Sequence, residues 1–278
     1  MARKKNGKKV YVITIQDATL RIAAYSVVFF FLAAGIFSGI SNQTQFTSSA
    51  SLELIIYLLT LVIHEYIHGL AFWLFGGKVK YGVGLAGYVL PYAYATAEDQ
   101  PFSLGQMMVV GLSPFIVLCS LSALVTLLWP ATAPYAGVVF VGNFAGAVGD
   151  LWLLSKLAHF KGLGRVTVVD NKTAMSVYSS DQRASSVASG MKARSLKSNP
   201  VNRFLGEWIV ASAVVASIAL ALPVLLGMVN FSGHFILGPS HFALLEITSA
   251  KAQASFTFNY LPAVAAGFIF SGIKELIR

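Results

Sequence analysis

The sequence predicts an all-α polytopic membrane protein with about six transmembrane helices and a short β-hairpin or re-entrant segment after the second helix. Composition and apolar runs predict this class. Hydrophobic residues make up 56% of the 278 residues and charged residues only 11%, whereas soluble domains contain about 25% charged residues. The mean hydropathy is +0.70, and runs of about 20 apolar residues, the length of a membrane-spanning helix, recur along the chain.

Six apolar runs are long enough to cross a bilayer as helices one to six. They cover residues 20–40, 52–75, 107–129, 136–157, 209–229 and 260–277. Two further apolar stretches, residues 81–97 and 231–247, are interrupted by glycine and proline. Because these residues break helices, we expect both stretches to lie at the membrane interface or to re-enter the membrane.

The positions of the basic residues predict the membrane topology. The chain has a formal net charge of +9, but its lysines and arginines are scattered without the aromatic interleaving typical of nucleic-acid binding. With six helices, the basic residues of the loops and ends fall on one side of the membrane, except for Lys251. The positive-inside rule then predicts a multi-pass cell-membrane protein with both termini in the cytoplasm, in contact with the lipid bilayer and not with nucleic acid.

The chain divides into three predicted regions. Residues 1–159 form a membrane core with helices one to four, residues 160–204 a cytosolic loop or small subdomain, and residues 205–278 the last two helices. In the middle region, "GRVTVVDNKTAMSVYSS" alternates in a way that predicts short strands. The serine-rich "SSDQRASSVASGMKARSLKSNP" that follows predicts a flexible segment. At the other end of the chain, the basic start resembles a secretory signal peptide, but its length of about 20 residues favours a retained anchor.

Helix two contains the pattern H-E-x-x-H as "HEYIH", with His64, Glu65 and His68. Residues four apart lie on one face of a helix, so both imidazoles can reach one ion, with Glu65 beside them. An ionisable residue inside a spanning helix costs about 2.5 kcal/mol or more and usually serves a function. The pattern therefore predicts that His64 and His68 bind Zn²⁺. A proton relay or an interhelical hydrogen-bond cluster is the alternative.

A catalytic zinc ion usually has three protein ligands and one position open to water. Asp150, a carboxylate within helix four at a similar membrane depth, is the predicted third ligand. His159, Glu98 and Asp99, near the membrane edge, are the alternatives. Asn143 lies two helical turns before Asp150 on the same face. It is predicted to contact the substrate or its oxyanion, with an interhelical hydrogen bond as the alternative.

Other polar positions receive structural interpretations. Ser113 and Pro114 in helix three predict a kink. His234 and His241 are separated by glycine and proline, so helical spacing does not apply to them, and we expect interfacial histidines and no second metal site.

Several of these segments resemble a known family. "HEYIHGLAFWLFGG", "GLSPF" and "NFAGAVGDLWLL" are similar to the zincin-peptidase family of membrane proteins, over roughly residues 51–178. The H-E-x-x-H of one helix and the N-x(6)-D of a later one also resemble the site-2 protease class of intramembrane metalloproteases. Site-2 proteases typically carry N-x-x-P-x-P-x-x-D-G. Here both prolines and the final glycine are absent, and the spacing is one residue shorter.

Together these features predict a zinc-dependent, membrane-embedded metalloprotease, similar to site-2 proteases, that acts on membrane-associated protein or peptide substrates. Glu65 would be the general base that takes a proton from the attacking water. The segment after helix two would form a hairpin that pairs with an extended substrate, or else an ordinary loop. The rival function is a noncatalytic scaffold or a transporter that uses the polar cluster for metal or proton handling. A transporter is expected to have repeated halves, and the sequence shows none.

Overall fold

The computed structural model of the chain describes residues 7–14, 18–41, 50–86, 90–171, 174–196, 200–228, 232–239, 243–250 and 253–277. His241 and Lys251 lie outside these residues. The chain forms two compact units. The first comprises Met1–Ile22 and Phe29–Leu196, and the second comprises Ala23–Val28 and Lys197–Arg278. The division into three regions predicted above stays a prediction.

The described residues are mostly helical, and besides the hairpin and the short strands that the sequence predicts they contain further strands near both ends of the chain and before α3. The helices are α1 (Thr19–Ser41), α2 (Ala50–Leu74), α3 (Leu104–Leu128), α4 (Ala133–Gly146), α5 (Val148–Ala158), α6 (Gln182–Leu196), α7 (Pro200–Met228) and α8 (Tyr260–Leu276). The strands are β1 (Lys8–Thr14), β2 (Lys80–Ala86), β3 (Leu90–Thr96), β4 (Pro101–Ser103), β5 (Val166–Asp170), β6 (Ala174–Ser179), β7 (Gly233–Leu237), β8 (Leu245–Ala250) and β9 (Gln253–Phe258).

Four helical segments within the described residues are long and apolar enough to cross a membrane: Arg21–Ser41, Leu52–Leu74, Leu104–Leu128 and Pro130–Ala158. Their outward faces are apolar. On α2, for example, Leu54 is 58% exposed and Val62 is 63% exposed, as expected of side chains that face lipid. These four helices indicate a membrane-embedded protein. Six spans with both termini in the cytoplasm remain a prediction.

The predicted helix four is two helices separated by a turn at Ala147. Ala147 donates its N–H to the carbonyl of Asn143 at 2.9 Å and accepts from the N–H of Leu151 at 2.9 Å. Glycines on both sides of the turn, Gly146 and Gly149, lower the helix propensity here. Asn143 therefore belongs to α4 and Asp150 to α5.

A four-stranded antiparallel sheet in the first unit has the order β1-β6-β5-β4. Its core includes Phe102, Val168 and Val177, each at most 1% exposed. The ring of Phe102 lies 5.1 Å from that of Phe72 in α2, measured between centroids. The sheet thus packs against the helix that carries the H-E-x-x-H pattern.

The end of α2 turns the chain toward the hairpin that follows. Gly76 has a φ of 73° and donates its N–H to the carbonyl of Trp73 at 2.7 Å. The N–H of Gly77 bonds the carbonyl of Phe72 at 2.8 Å. This is a Schellman motif, in which a left-handed glycine satisfies the last carbonyls of the helix. Strands β2 and β3, which we call the hairpin, then pair antiparallel, from Lys80 opposite Thr96 to Ala86 opposite Leu90.

The serine-rich segment predicted to be flexible is largely the helix α6. Asp181 precedes it and accepts the backbone N–H of Arg183 on its carboxylate at 2.9 Å. An aspartate at this position caps the first turn of a helix, a signal that the composition argument overlooked. The strands predicted just before this segment are β5 and β6.

In the second unit, α7 and α8 pack together. The indole N–H of Trp208 donates to the carbonyl of Val264 at 2.8 Å, and Lys274 pairs with Glu207 at 3.1 Å. Strands β7, β8 and β9 form a three-stranded sheet, and the interfacial or re-entrant placement of residues 231–247 stays a prediction. His234, on β7, lies 2.7 Å from the carboxylate of Glu246.

We expect Phe102→Ala to lower the apparent melting temperature of the detergent-solubilised protein, because truncating a buried phenylalanine costs about 3–5 kcal/mol. Val83→Ala is the control, since Val83 is 83% exposed and such surface changes stay within about 0.5 kcal/mol. Equal melting temperatures for the two variants would contradict the packing of the sheet against α2.

Candidate metal centre

Helix α2 places His64, Glu65 and His68 on adjoining positions of one face, as the sequence predicts. The ligand atoms of the three side chains lie within 4.8 Å of one another. Both histidines are buried, at 9% and 7% exposure, in a helix that is mostly apolar. Buried imidazoles need hydrogen-bond partners, and neighbouring elements supply them.

Asp150 of α5 completes a triangle of ligand atoms. Its Oδ2 lies 3.1 Å from Nε2 of His64 and 3.3 Å from Nε2 of His68. The two Nε2 atoms are 3.2 Å apart. Bonds of about 2.0–2.1 Å from nitrogen or oxygen put the ligands of a tetrahedral zinc ion about 3.3–3.4 Å apart. The triangle has nearly the edge lengths of one face of that tetrahedron.

The other ring nitrogen of His64 faces Asn143. His64 Nδ1 is 2.8 Å from Asn143 Oδ1, while the amide Nδ2 of Asn143 donates to the carbonyl of Pro114 at 3.2 Å. Because a carbonyl only accepts, it fixes the NH₂ end of the amide and turns the amide oxygen toward His64. His64 Nδ1 must then carry the proton.

His68 is held in the same way by α3. Its Nδ1 lies 2.8 Å from the carbonyl oxygen of Val110, so this nitrogen also carries a proton. Both rings therefore turn the lone pair of Nε2 toward Asp150. In metal sites, a hydrogen bond from the second ring nitrogen to a carbonyl or carboxylate fixes the orientation of a ligating histidine.

This arrangement has the donor set of a cation site. Two Nε2 lone pairs 3.2 Å apart, next to a carboxylate oxygen, repel one another unless a proton or metal ion lies between them. Two imidazole nitrogens and one carboxylate oxygen are ligands that Zn²⁺ accepts in catalytic sites, with a fourth position left for water. The residues present thus fit a zinc ion.

Glu65 faces the hairpin. Its Oε2 accepts the backbone N–H of Ala95, in β3, at 2.8 Å. In the antiparallel register Ala95 lies opposite Tyr81, but its N–H points to Glu65 and so away from β2. The contact holds the outer edge of β3 beside the carboxylate that follows the first histidine.

The alternative third ligands have partners of their own. His159 Nδ1 lies 2.9 Å from the carbonyl of Ser155 in its own helix, and Glu98 pairs with Lys80 at 3.3 Å. Asp99 is exposed with a φ of 58°, in the left-handed region.

Sequence reasoning missed three backbone partners: the carbonyls of Val110 and Pro114 and the N–H of Ala95. Backbone groups carry no residue-type signal, so motif reading does not find them. One clue was available, because Pro114 leaves the carbonyl of the residue four positions earlier without its helical donor.

Comparisons with known proteins agree with this chemistry. Residues 57–162, less than half of the chain, match the sequence profile of a family described as "Putative zincin peptidase". This range contains all five predicted site residues. The match supports a zincin-like metallopeptidase, and zincins imply zinc. It does not show a relation to site-2 proteases.

One relative is an "uncharacterized 24.7 kDa protein in gap 5'region" of Pyrococcus woesei. It is 28% identical over 152 residues, which are 52% of this chain and 66% of that protein. The chain thus matches just under two thirds of the length of this relative. No solved structure matches the chain significantly.

The purified protein should contain about one zinc ion per chain, as a site with three protein ligands holds a single ion. We expect His64→Ala, His68→Ala and Asp150→Ala to lose it, measured by elemental analysis after gel filtration. His159→Ala, which changes a histidine bonded within its own helix, should keep the zinc. Full zinc occupancy in Asp150→Ala would contradict the assignment of Asp150 as the third ligand.

Proposed function

We propose that this chain is a zinc-dependent metallopeptidase embedded in the membrane, with His64, His68 and Asp150 as the metal ligands. The observation that carries the proposal is the triangle of two Nε2 atoms and one Oδ2 with edges of 3.1–3.3 Å. The triangle is built between α2 and α5, both within segments that could cross a membrane. The substrates we propose are membrane-associated proteins or peptides, cleaved in the manner of site-2 proteases.

A bound zinc ion would polarise the scissile carbonyl and make a water molecule more acidic near neutral pH. The chain's own acid–base group is Glu65, the carboxylate next to the first ligand. Glu65 takes a proton from the attacking water and returns it to the leaving amine. The N–H of Ala95 donates to Oε2 of Glu65 and so holds the carboxylate in an orientation suited to this transfer.

Asn143 contacts both His64 and the carbonyl of Pro114. We propose that it orients His64, since its amide oxygen accepts from the ring and its nitrogen is held by Pro114. The substrate or oxyanion contact expected from the sequence remains a prediction. Both amide ends are engaged here, so that contact would require Asn143 to give up one of these hydrogen bonds.

The hairpin is the proposed substrate platform. Among the residues that the structure describes, β3 pairs only with β2, so its outer edge has no strand partner. Ala95 directs its N–H toward this edge, and alternation along a strand directs the N–H and carbonyl of Ala93 the same way. An extended substrate can pair there by strand addition, with its scissile bond beside Glu65.

A noncatalytic scaffold or a transporter would use the same cluster differently. An imidazolium on one histidine paired with Asp150 would satisfy the same distances without a metal ion and would carry protons. Zinc-dependent cleavage of a reporter favours the peptidase, because a scaffold or transporter could also hold zinc in this cluster. A metal-free protein with retained His–Asp pairing favours the rival function.

Glu65→Gln should keep the zinc and lose cleavage of a membrane-anchored reporter by about 10²–10⁴-fold, the range of general acid–base catalysis. The amide keeps the shape of the side chain but cannot take a proton. Glu53→Gln, in the first turn of the same helix, is the matched control and should cleave normally. Undiminished cleavage by Glu65→Gln would remove this residue from the mechanism.

Ala93→Pro should slow reporter cleavage while the zinc content stays unchanged. Proline removes the N–H offered to the substrate at an edge position that sheets tolerate. Ala93→Val, which keeps the N–H and suits a strand, controls for side-chain size. If both variants cleave at the same rate, strand addition at this edge is wrong.

A further inference from the structure

Pro114 interrupts the hydrogen-bond ladder of α3 at the level of the histidines. In an α-helix the carbonyl of residue 110 accepts from the N–H of residue 114. Proline has no N–H, so this bond is missing. Val110 is 3% exposed, and Pro114 is among the fully buried residues. The carbonyl of Val110 therefore needs a donor from the protein.

That donor is a predicted metal ligand. His68 Nδ1 lies 2.8 Å from the Val110 oxygen, and the hydroxyl of Ser113 donates to the same oxygen at 2.9 Å. A carbonyl oxygen has two lone pairs, and these two donors occupy both. A third donor from an N–H at position 114 would compete with His68 for this oxygen.

Pro114 also acts on the other histidine. Its carbonyl accepts from Nδ2 of Asn143 at 3.2 Å, and the opposite end of that amide holds His64 Nδ1 at 2.8 Å. One residue of α3 thus supports both rings. Because Pro114 has no N–H, the carbonyl of Val110 is free to accept from His68. The carbonyl of Pro114 orients the amide of Asn143, whose oxygen accepts from His64.

We propose that Pro114 is a positioning residue for the metal centre. It keeps both histidines protonated on Nδ1 and directs both Nε2 lone pairs toward the ion. This inference rests on the proposed function for the presence of a metal ion, but the ring tautomers can be tested without one. It assigns a chemical reason to a proline that sequence reasoning interpreted as a kink.

The first test measures Zn²⁺ affinity of the full-length protein in detergent by competition with a chelator. Pro114→Ala and Pro114→Gly both restore an N–H, and we expect both to weaken zinc binding by about 10–100-fold, the usual effect of losing a partner of a ligating histidine. Ser113→Ala removes only the second donor to Val110 and should bind zinc as tightly as the wild type.

Alanine and glycine separate this role from helix stability. Alanine stabilises a helix and glycine destabilises it, so a purely structural role would separate the two variants in affinity. Co²⁺-substituted protein adds a spectroscopic readout, because its visible absorption reports ligand geometry. Wild-type affinity together with an unchanged Co²⁺ spectrum in Pro114→Ala would overturn the inference.

A second measurement needs no variant and covers the case in which neither variant folds. Imidazole ¹⁵N NMR of the wild-type protein should show His68 protonated on Nδ1, with and without Zn²⁺. A metal-free His68 that carries its proton on Nε2 and none on Nδ1, or Zn²⁺ bound through Nδ1, would overturn the inference. Failure of the wild-type protein to bind Zn²⁺ would instead contradict the proposed function, while the Nδ1 proton would still report on Pro114.

Discussion

The need of two buried imidazoles for hydrogen-bond partners governs the first unit around α2. His64 and His68 lie in a helix whose other faces are apolar, and an unpaired polar group buried there would cost about 1–3 kcal/mol. Asn143 and the carbonyl of Val110 meet this need. In doing so they fix which nitrogen of each ring remains available. The same contacts that make burial tolerable also create a ligand set.

The partners of the site occur where regular secondary structure is interrupted. Pro114 frees a carbonyl in α3, and the edge of β3 that has no strand partner among the described residues offers the N–H of Ala95. Inside a bilayer no water is present to bond freed backbone groups, so such interruptions persist only where the protein provides partners. Here the buried side chains of the centre and the freed backbone groups satisfy one another.

The sheet region is tied to the same helix by apolar packing. Phe102 of β4 packs on Phe72, one turn after the second histidine of α2. Between them the Schellman turn at Gly76 redirects the chain into the hairpin that reaches back to Glu65. The Phe72–Phe102 packing and the Ala95–Glu65 hydrogen bond therefore tie the β1-β6-β5-β4 sheet and the hairpin to α2.

The sequence by itself determined the apolar helices, the pairing of His64 and His68 on one face, and Asp150 as the carboxylate to seek. Helical periodicity and the cost of buried charge depend only on the order of residues, so these features could be predicted. The additional strands were harder to predict, because strand pairing depends on partners that are distant in the sequence. The helix α6 was harder to predict because its serine-rich composition is typical of flexible segments and draws attention away from the capping Asp181. Which nitrogen of each histidine faces Asp150 was decided by tertiary structure alone. It depends on the carbonyl of Val110, which accepts from His68, and on the carbonyl of Pro114, which fixes the amide of Asn143 that faces His64. Packing of the helices brings these groups beside α2.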